Sequence, residues 1–246
     1  MIDTHCHLKE DFEATLQRAF EKGISHVINI CIDLKDIERA QKIFEKYPQA
    51  PFMAAIHPCD AHKVEEGHFE LICQLAQEGK LIGIGESGLD LYHAIEHLEI
   101  QKKFFRQHVE LANDLNLPLA IHCRNAFSEL IEFVKNNPIH KGILHCFSGN
   151  LEQALWALEH DFILSISGVI TFKNAHSLHE VVEKIPLEKL VVETDAPWLA
   201  PEPFRGKHNE PSYIPYIVQK IADLKGLPFE EVATQLDINT KRVFLL

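Results

Sequence analysis

The sequence contains six cysteines but no CxxC pair, and it has no long apolar run. The missing CxxC spacing argues against a zinc ribbon or a disulfide framework. No apolar run approaches the ~20 residues that a membrane span needs. The N-terminus carries Asp3 rather than the basic region of a signal peptide. We therefore expect a cytoplasmic protein whose cysteines are reduced and buried like small hydrophobic residues.

An excess of positive charge is also lacking, because 36 acidic residues outnumber 24 basic ones and the formal net charge is −12. Non-specific electrostatic binding of a nucleic acid duplex is therefore unfavourable over the surface as a whole. Nothing in the sequence indicates an obligate protein partner. The 16 histidines are a high number, and metal ions bound by them would add local positive charge that this sum omits.

Eight short apolar, β-branched segments alternate with segments of helical period. The predicted strands are residues 1–7, 26–31, 52–57, 81–86, 117–123, 142–147, 162–168 and 190–195. Helical period is found at 11–22, 35–46, 69–78, 98–115 and 151–160, and a Pro/Gly-rich loop at 200–211 precedes two or three further helices. We therefore predict one α/β domain over residues 1–246, a closed (β/α)8 TIM barrel, with an open doubly wound sheet as the alternative.

Metal-ligand residue types end five of the predicted strands. His5 and His7 end the first strand, where a period of two places both on one face and Cys6 on the other. A single HxH pair is weak evidence, since 16 histidines produce roughly one by chance. The other strand ends carry Glu86, His122, His145 and Asp195. In a parallel barrel these ends meet at the C-terminal face, where barrel enzymes place their chemistry. The pattern therefore predicts a metal site there.

Two divalent ions suit these six side chains better than one. The donors exceed the coordination of a tetrahedral zinc ion, and a fully occupied octahedral ion would leave no position for water. We expect Glu86 to bridge two ions, with His5, His7 and Asp195 on one and His122 and His145 on the other. Four imidazoles favour Zn²⁺, Mn²⁺, Co²⁺ or Ni²⁺ over Mg²⁺, whereas carboxylates and phosphate substrates suit Mg²⁺ and Mn²⁺, so the identity of the metal stays open.

Several motifs resemble those of the TatD-type metal-dependent hydrolases of the amidohydrolase superfamily. They are IDTHCHL at 2–8, IHP at 56–58, GESGLD at 85–90, IHCR at 121–124, HCFSG at 145–149, ETDAPWLAP at 193–201, RGKHNEP at 205–211 and NTKRVF at 239–244. The resemblance implies a (β/α)8 fold, the same six metal ligands and, in many members, a deoxyribonuclease that trims DNA ends. Asn125 stands near a position that is usually acidic, and Trp198 stands where tyrosine is common.

The expected reaction is phosphodiester hydrolysis by a metal-activated water. We expect Asp195 to act as general base beside the bridging Glu86, and His57 to contact phosphate or protonate the leaving oxygen, unless it is only a rim residue held by Pro58. Glu193 is expected to belong to an interior polar layer that orients ligands. Substrate phosphates are expected to be bound by Arg124, Arg205 and Lys207. The histidines that we expect to be exposed to solvent are His62, His68, His160, His176 and His179.

Three functions stay open on the sequence. The first is a metal-dependent deoxyribonuclease that acts on DNA ends or single strands. The second is a small-molecule hydrolase for cyclic amides, lactones or phosphoesters that uses the same two-metal centre. The third is a non-catalytic protein that binds metal or a partner, which the open coordination of strand-end ligands disfavours because structural sites are usually closed.

Overall fold

Eight parallel strands form one sheet in which each strand pairs with the next along the chain. The computed structural model covers residues 1–246. Its strands are β1 Ile2–Cys6, β2 His26–Cys31, β3 Phe52–Ala54, β4 Gly83–Asp90, β5 Leu119–Arg124, β6 Gly142–Leu144, β7 Ile163–Ile166 and β8 Leu190–Val192. The sheet closes where Cys6 pairs with Ala196 and the His7 amide donates to the Ala196 carbonyl at 2.8 Å. The predicted (β/α)8 barrel is confirmed, and the open sheet is not formed.

Helices follow the strands. They are α1 Phe12–Glu21, α2 Leu34–Lys46, α3 His68–Gln77, α4 Leu98–Asp114, α5 Phe127–Asn136, α6 Leu151–Glu159, α7 His176–Lys184, α8 Ile214–Lys225 and α9 Phe229–Phe244. The five helices that were predicted with bounds (α1, α2, α3, α4 and α6) agree with the structure to within one residue. Local capping explains some starts: the Asn150 side chain accepts from the Gln153 amide in a capping box that opens α6. None of these helices combines the length and apolar character needed to cross a bilayer.

Four strands end three or four residues away from their predicted ends, and the difference matters for the site. β4 continues past Glu86 to Asp90, pairing with β5 as far as Arg124. β3, β6 and β8 instead end at Ala54, Leu144 and Val192, so His57, His145 and Asp195 lie on the loops that follow. Asp195 itself has a φ of 57°, which a strand cannot adopt. Three of the predicted site residues are therefore held by loop conformation rather than by a strand ladder.

The apolar core has two layers. The larger one lies between strands and helices and contains Cys6, as the alternation in β1 predicts. A smaller cluster, including Ile28, Met53 and Ile143, fills the barrel interior. The six cysteines are free, but only Cys6 and Cys31 are fully buried, so the prediction of burial is wrong for Cys59, Cys73, Cys123 and Cys146, which are partly exposed.

His68 was expected in solvent, and this prediction is wrong. It begins α3 and is 4% exposed. The buried residues of this helix are His68, Ile72, Leu75 and Ala76, which share one face because they are four, seven and eight positions apart. The imidazole therefore belongs to the apolar stripe of α3. His62, His160 and His176 are exposed, and His179 is half-buried with its Nε2 2.8 Å from the Ile170 carbonyl.

Candidate metal centre

His5 and His7 lie side by side at the C-terminal end of β1. Their side chains are almost completely buried, and the ring centroids are 5.3 Å apart. Nε2 of His5 is 3.3 Å from Oε2 of Glu86 and 3.9 Å from Oδ1 of Asp195. Nε2 of His7 is 3.8 Å and 3.7 Å from the same two oxygens. Two histidines and two carboxylates from β1, β4 and the loop after β8 therefore converge, as the sequence predicts.

Glu86 lies at the centre of the cluster and is 4% exposed. Its Oε2 faces His5 and His7, whereas its Oε1 faces the imidazoles on the other side. Oε1 is 2.6 Å from Nδ1 of His122 and 3.0 Å from Nε2 of His145. Each oxygen of one carboxylate thus faces its own set of imidazoles, which is the arrangement a bridging ligand requires.

Glu193 contacts His145 on the side of the ring opposite to Glu86. Its Oε1 lies 2.9 Å from Nδ1 of His145 and accepts the Cys146 amide at 2.8 Å, while its Oε2 accepts the Ser165 hydroxyl at 2.5 Å. The carboxylate is 1% exposed. Since Nε2 of His145 faces Glu86, Glu193 orients the imidazole toward the cluster. This is the interior polar position expected for Glu193.

Asp90 plays the same part for His122, and the sequence analysis missed it. Oδ2 of Asp90 is 2.9 Å from Nε2 of His122, whose Nδ1 faces Glu86. The signal was present: residues 86, 88 and 90 point to one face of a strand, and the residue between the two acids is Gly88. Ending the predicted strand at Glu86 concealed it. Two carboxylate–histidine pairs therefore point two imidazoles at Glu86.

The pKa values of the two central carboxyl groups, Glu86 and Asp195, are shifted in opposite directions. Burial would raise the pKa of Glu86, but the facing imidazoles of His145 and His57 hold it well below its usual value. Burial raises the pKa of Asp195 to about 8, with the negative charges of Glu86 and Glu193 acting in the same direction. A cation between Glu86 and Asp195 would remove the repulsion and favour the ionised form of Asp195.

The donor set fits divalent metal ions. Nε2 of His5 is buried and makes no hydrogen bond, although two carboxylates face it. An unpartnered buried nitrogen is costly unless a cation occupies the space in front of it. In the cluster around Glu86, three groups of donors lie close enough to hold an ion: His5 with His145 and Asp195, His5 with His7 and Glu86, and His57 with Glu86 and His122. Glu86 is common to two of them.

A cavity of about 640 Å³ opens above this cluster. His57 lies on its wall, with Nε2 3.5 Å from Oε1 of Glu86 and with Nδ1 accepting the Cys59 amide at 3.2 Å. Arg124 and the half-exposed Trp198 also line the cavity. Arg205 and Lys207 do not line it. The Arg205 guanidinium instead lies 4.2 Å from the centroid of the Phe172 ring.

Comparison with known proteins finds relatives that match nearly the whole chain. The family model described as TatD related DNase matches residues 2–245. A metal-dependent hydrolase of Bacillus subtilis, the uncharacterized YabD, is 38% identical over 251 residues, covering 99% of this chain and 98% of that protein. The 3'-5' ssDNA/RNA exonuclease TatD of Escherichia fergusonii is 31% identical over 248 residues, covering 98% and 95%. The crystal structure of the TatD homologue YJJV from Escherichia coli superposes with a TM-score of 0.92 at 30% identity, covering 100% and 98%.

Proposed function

The chain belongs to the TatD-related DNase family of metal-dependent hydrolases, and from this premise we propose that it hydrolyses phosphodiester bonds at the ends of single-stranded DNA. The observation that carries the proposal is Glu86, whose two oxygens face separate sets of imidazoles at the base of a cavity. A similar protein is named a 3'-5' ssDNA/RNA exonuclease, which supports a nucleic acid substrate.

Two divalent ions, of zinc, manganese or magnesium, are proposed as cofactors. His5, His7, Glu86, His122, His145 and Asp195 would hold them, with Glu86 shared. When bound, the ions supply a water of lowered pKa and neutralise charge on the phosphate. Glu193 and Asp90 keep the imidazoles of His145 and His122 aimed at the cluster.

The chain's own residues move the protons in this proposal. Asp195 is the general base, because its carboxylate stands 3.9 Å and 3.7 Å from the imidazoles of His5 and His7 and lines the cavity. His57 is the proton donor to the leaving oxygen. Its Nδ1 accepts the Cys59 amide, which leaves the proton of the neutral ring on Nε2, toward Glu86.

Substrate binding is proposed for two side chains at the cavity rim. Arg124 is the one Lys or Arg residue among the lining side chains, so it is the natural partner for a phosphate that the ions do not contact. Trp198 is 51% exposed and packs against His7 in an edge-to-face arrangement, with 5.0 Å between the ring centroids. An exposed indole beside a phosphate site offers a face for an unpaired base, with stacking worth about 1–3 kcal/mol.

The deciding experiment is hydrolysis of short single- and double-stranded oligonucleotides across Mg²⁺, Mn²⁺ and Zn²⁺. We expect metal-dependent release of nucleotides from single strands, abolished by EDTA and lowered by at least about 100-fold in Asp195→Asn, because general base catalysis contributes about that much or more. Asp223→Asn, an exposed carboxylate on α8, is the matched control. Intact DNA under every ion tested would refute the nuclease assignment.

A small-molecule substrate is the second candidate. The cavity of about 640 Å³ lies within the range of about 300–1,000 Å³ that is typical of small-ligand sites. Hydrolysis of a lactone or a small phosphoester by protein that leaves DNA intact would favour it.

A further inference from the structure

A second group of metal-ligating side chains lies on the cavity wall, outside the cluster around Glu86. Cys59 is in the 3-10 turn Pro58–Lys63 after β3, Asp90 is the last residue of β4, and His93 is in the loop that follows. One donor atom from each lies within 4.8 Å of the others. All three residues line the cavity. The proposed hydrolysis uses neither the thiol of Cys59 nor the imidazole of His93.

The Asp90 carboxylate is fixed in a position that favours a ligand on one oxygen. Its Oδ1 accepts the backbone amides of Tyr92 and His93 at 2.8 Å and 2.6 Å. Its Oδ2 therefore faces the side chains: the Cys59 thiol at 3.4 Å, Nδ1 of His93 at 3.1 Å and Nε2 of His122. A carboxylate oxygen has two lone pairs, so it can accept a hydrogen bond from His122 and still coordinate one ion.

The two separations that involve Oδ2 of Asp90 match the edges of a tetrahedral zinc site, and the third, between sulfur and nitrogen, is within 4.8 Å. With Zn–S of about 2.3 Å and Zn–O and Zn–N of about 2.0 Å, a tetrahedron places sulfur and oxygen about 3.5 Å apart and nitrogen and oxygen about 3.3 Å apart. The observed distances from Oδ2 of Asp90 are 3.4 Å to sulfur and 3.1 Å to nitrogen. We propose that Cys59, Asp90 and His93 form a binding site for a third, thiophilic divalent cation such as Zn²⁺.

Three protein ligands leave the fourth position of this ion to water or to an anionic group in the cavity. Binding releases the thiol proton of Cys59 to solvent, and the neutral imidazole of His93 binds the ion through Nδ1 in the tautomer that carries its single proton on Nε2. Burial and the neighbouring Asp90 carboxylate raise the pKa of the Cys59 thiol to about 12. A cation is therefore needed to hold the thiolate at neutral pH.

Cobalt titration of the metal-free full-length protein tests the site without relying on hydrolysis. A thiolate bound to Co²⁺ produces a charge-transfer absorption in the near ultraviolet, which imidazole and carboxylate ligands do not. We expect this band together with three Co²⁺ per chain. Cys59→Ser should lose the band and one equivalent of cobalt, whereas Cys123→Ser, a second thiol that lines the cavity, should keep both.

His93→Gln supplies a variant that is safe for folding, because its side chain is 59% exposed. It should keep the band but require at least about 10-fold more Co²⁺, since even the loss of a residue that only orients a ligand costs about 10–100-fold in affinity. A wild-type protein without the band, or a band that survives in Cys59→Ser, would overturn the proposal. If the charge-transfer band is present with fewer than three Co²⁺ per chain, the site at Cys59 is supported and the proposed pair of ions around Glu86 is contradicted.

Discussion

Replacing Glu193 by glutamine tests whether this carboxylate positions a metal ligand through its charge. Glutamine has nearly the same shape, and its carbonyl oxygen can still accept the Cys146 amide, which is 2.8 Å away. The negative charge beside Nδ1 of His145, at 2.9 Å, is lost, and the amide nitrogen takes the place of the oxygen that accepts the Ser165 hydroxyl. The imidazole then becomes a weaker donor to metal, so we expect affinity to fall by about 10–100-fold, or about 1.4–2.7 kcal/mol.

The assay is equilibrium dialysis of the metal-free protein against Mn²⁺ or Zn²⁺, with hydrolysis measured at increasing metal concentration. Activity of Glu193→Gln should recover as the metal concentration rises, because the variant lacks affinity rather than a reacting group. A merely structural role would lower the urea midpoint of the metal-free protein and leave the metal dependence unchanged. Glu183→Gln, which lies exposed on α7, is the matched control.

Metal affinity within twofold of the wild type would refute the reasoning. So would loss of activity that no concentration of metal restores, because Glu193 would then act on the substrate or on the fold. Glu183→Gln removes one negative charge from an exposed position, so comparing the two variants isolates the effect of the carboxylate that faces His145.

Two other predictions follow from particular contacts. His108 is fully buried, with Nε2 accepting the Ile56 amide and Nδ1 2.7 Å from the Ser87 hydroxyl, and burial lowers its pKa to about 3. Below pH 6.5 the unfolded chain therefore takes up a proton that the folded one does not, and stability falls by about 1.4 kcal/mol per pH unit down to about pH 3. The free energy of unfolding is measured with urea from pH 7 to pH 4 for the wild type and for His108→Gln. The difference between the two free energies should shrink at that rate as the pH falls, and an unchanged difference would contradict the prediction. Arg124→Ala should raise KM for oligonucleotides about 10-fold through loss of a phosphate contact of about 1.5 kcal/mol, whereas Lys207→Ala, outside the cavity, should leave it unchanged. Equal effects of the two substitutions would contradict the placement of the substrate.

The cavity brings together most of the side chains that the motifs indicate. His5, His7, Glu86, His122, His145 and Asp195 all converge. Their roles as metal ligands stay predictions until ions are measured. Arg205 and Lys207, also predicted to bind substrate, are exposed and lie outside the cavity, so Arg124 is the basic side chain that the structure places there.

The sequence by itself determined the barrel and the face on which the donors lie. Period-two and period-3.6 patterns are local properties, so eight strands and their helices can be read without knowing their neighbours. His5 in β1 and His7, one residue past its end, point to the same side for the same reason.

Tertiary structure alone decided which loop residues join the site. Asp90 reaches His122 because β4 runs four residues past Glu86 beside β5. Donor atoms of Cys59 and His93 come within 4.8 Å of each other because the segments after β3 and β4 both line the cavity. Asp195 is turned toward His5 by a backbone conformation with φ of 57°. Side-chain direction in loops follows from contacts between distant segments, and no repeating pattern along the chain encodes those contacts.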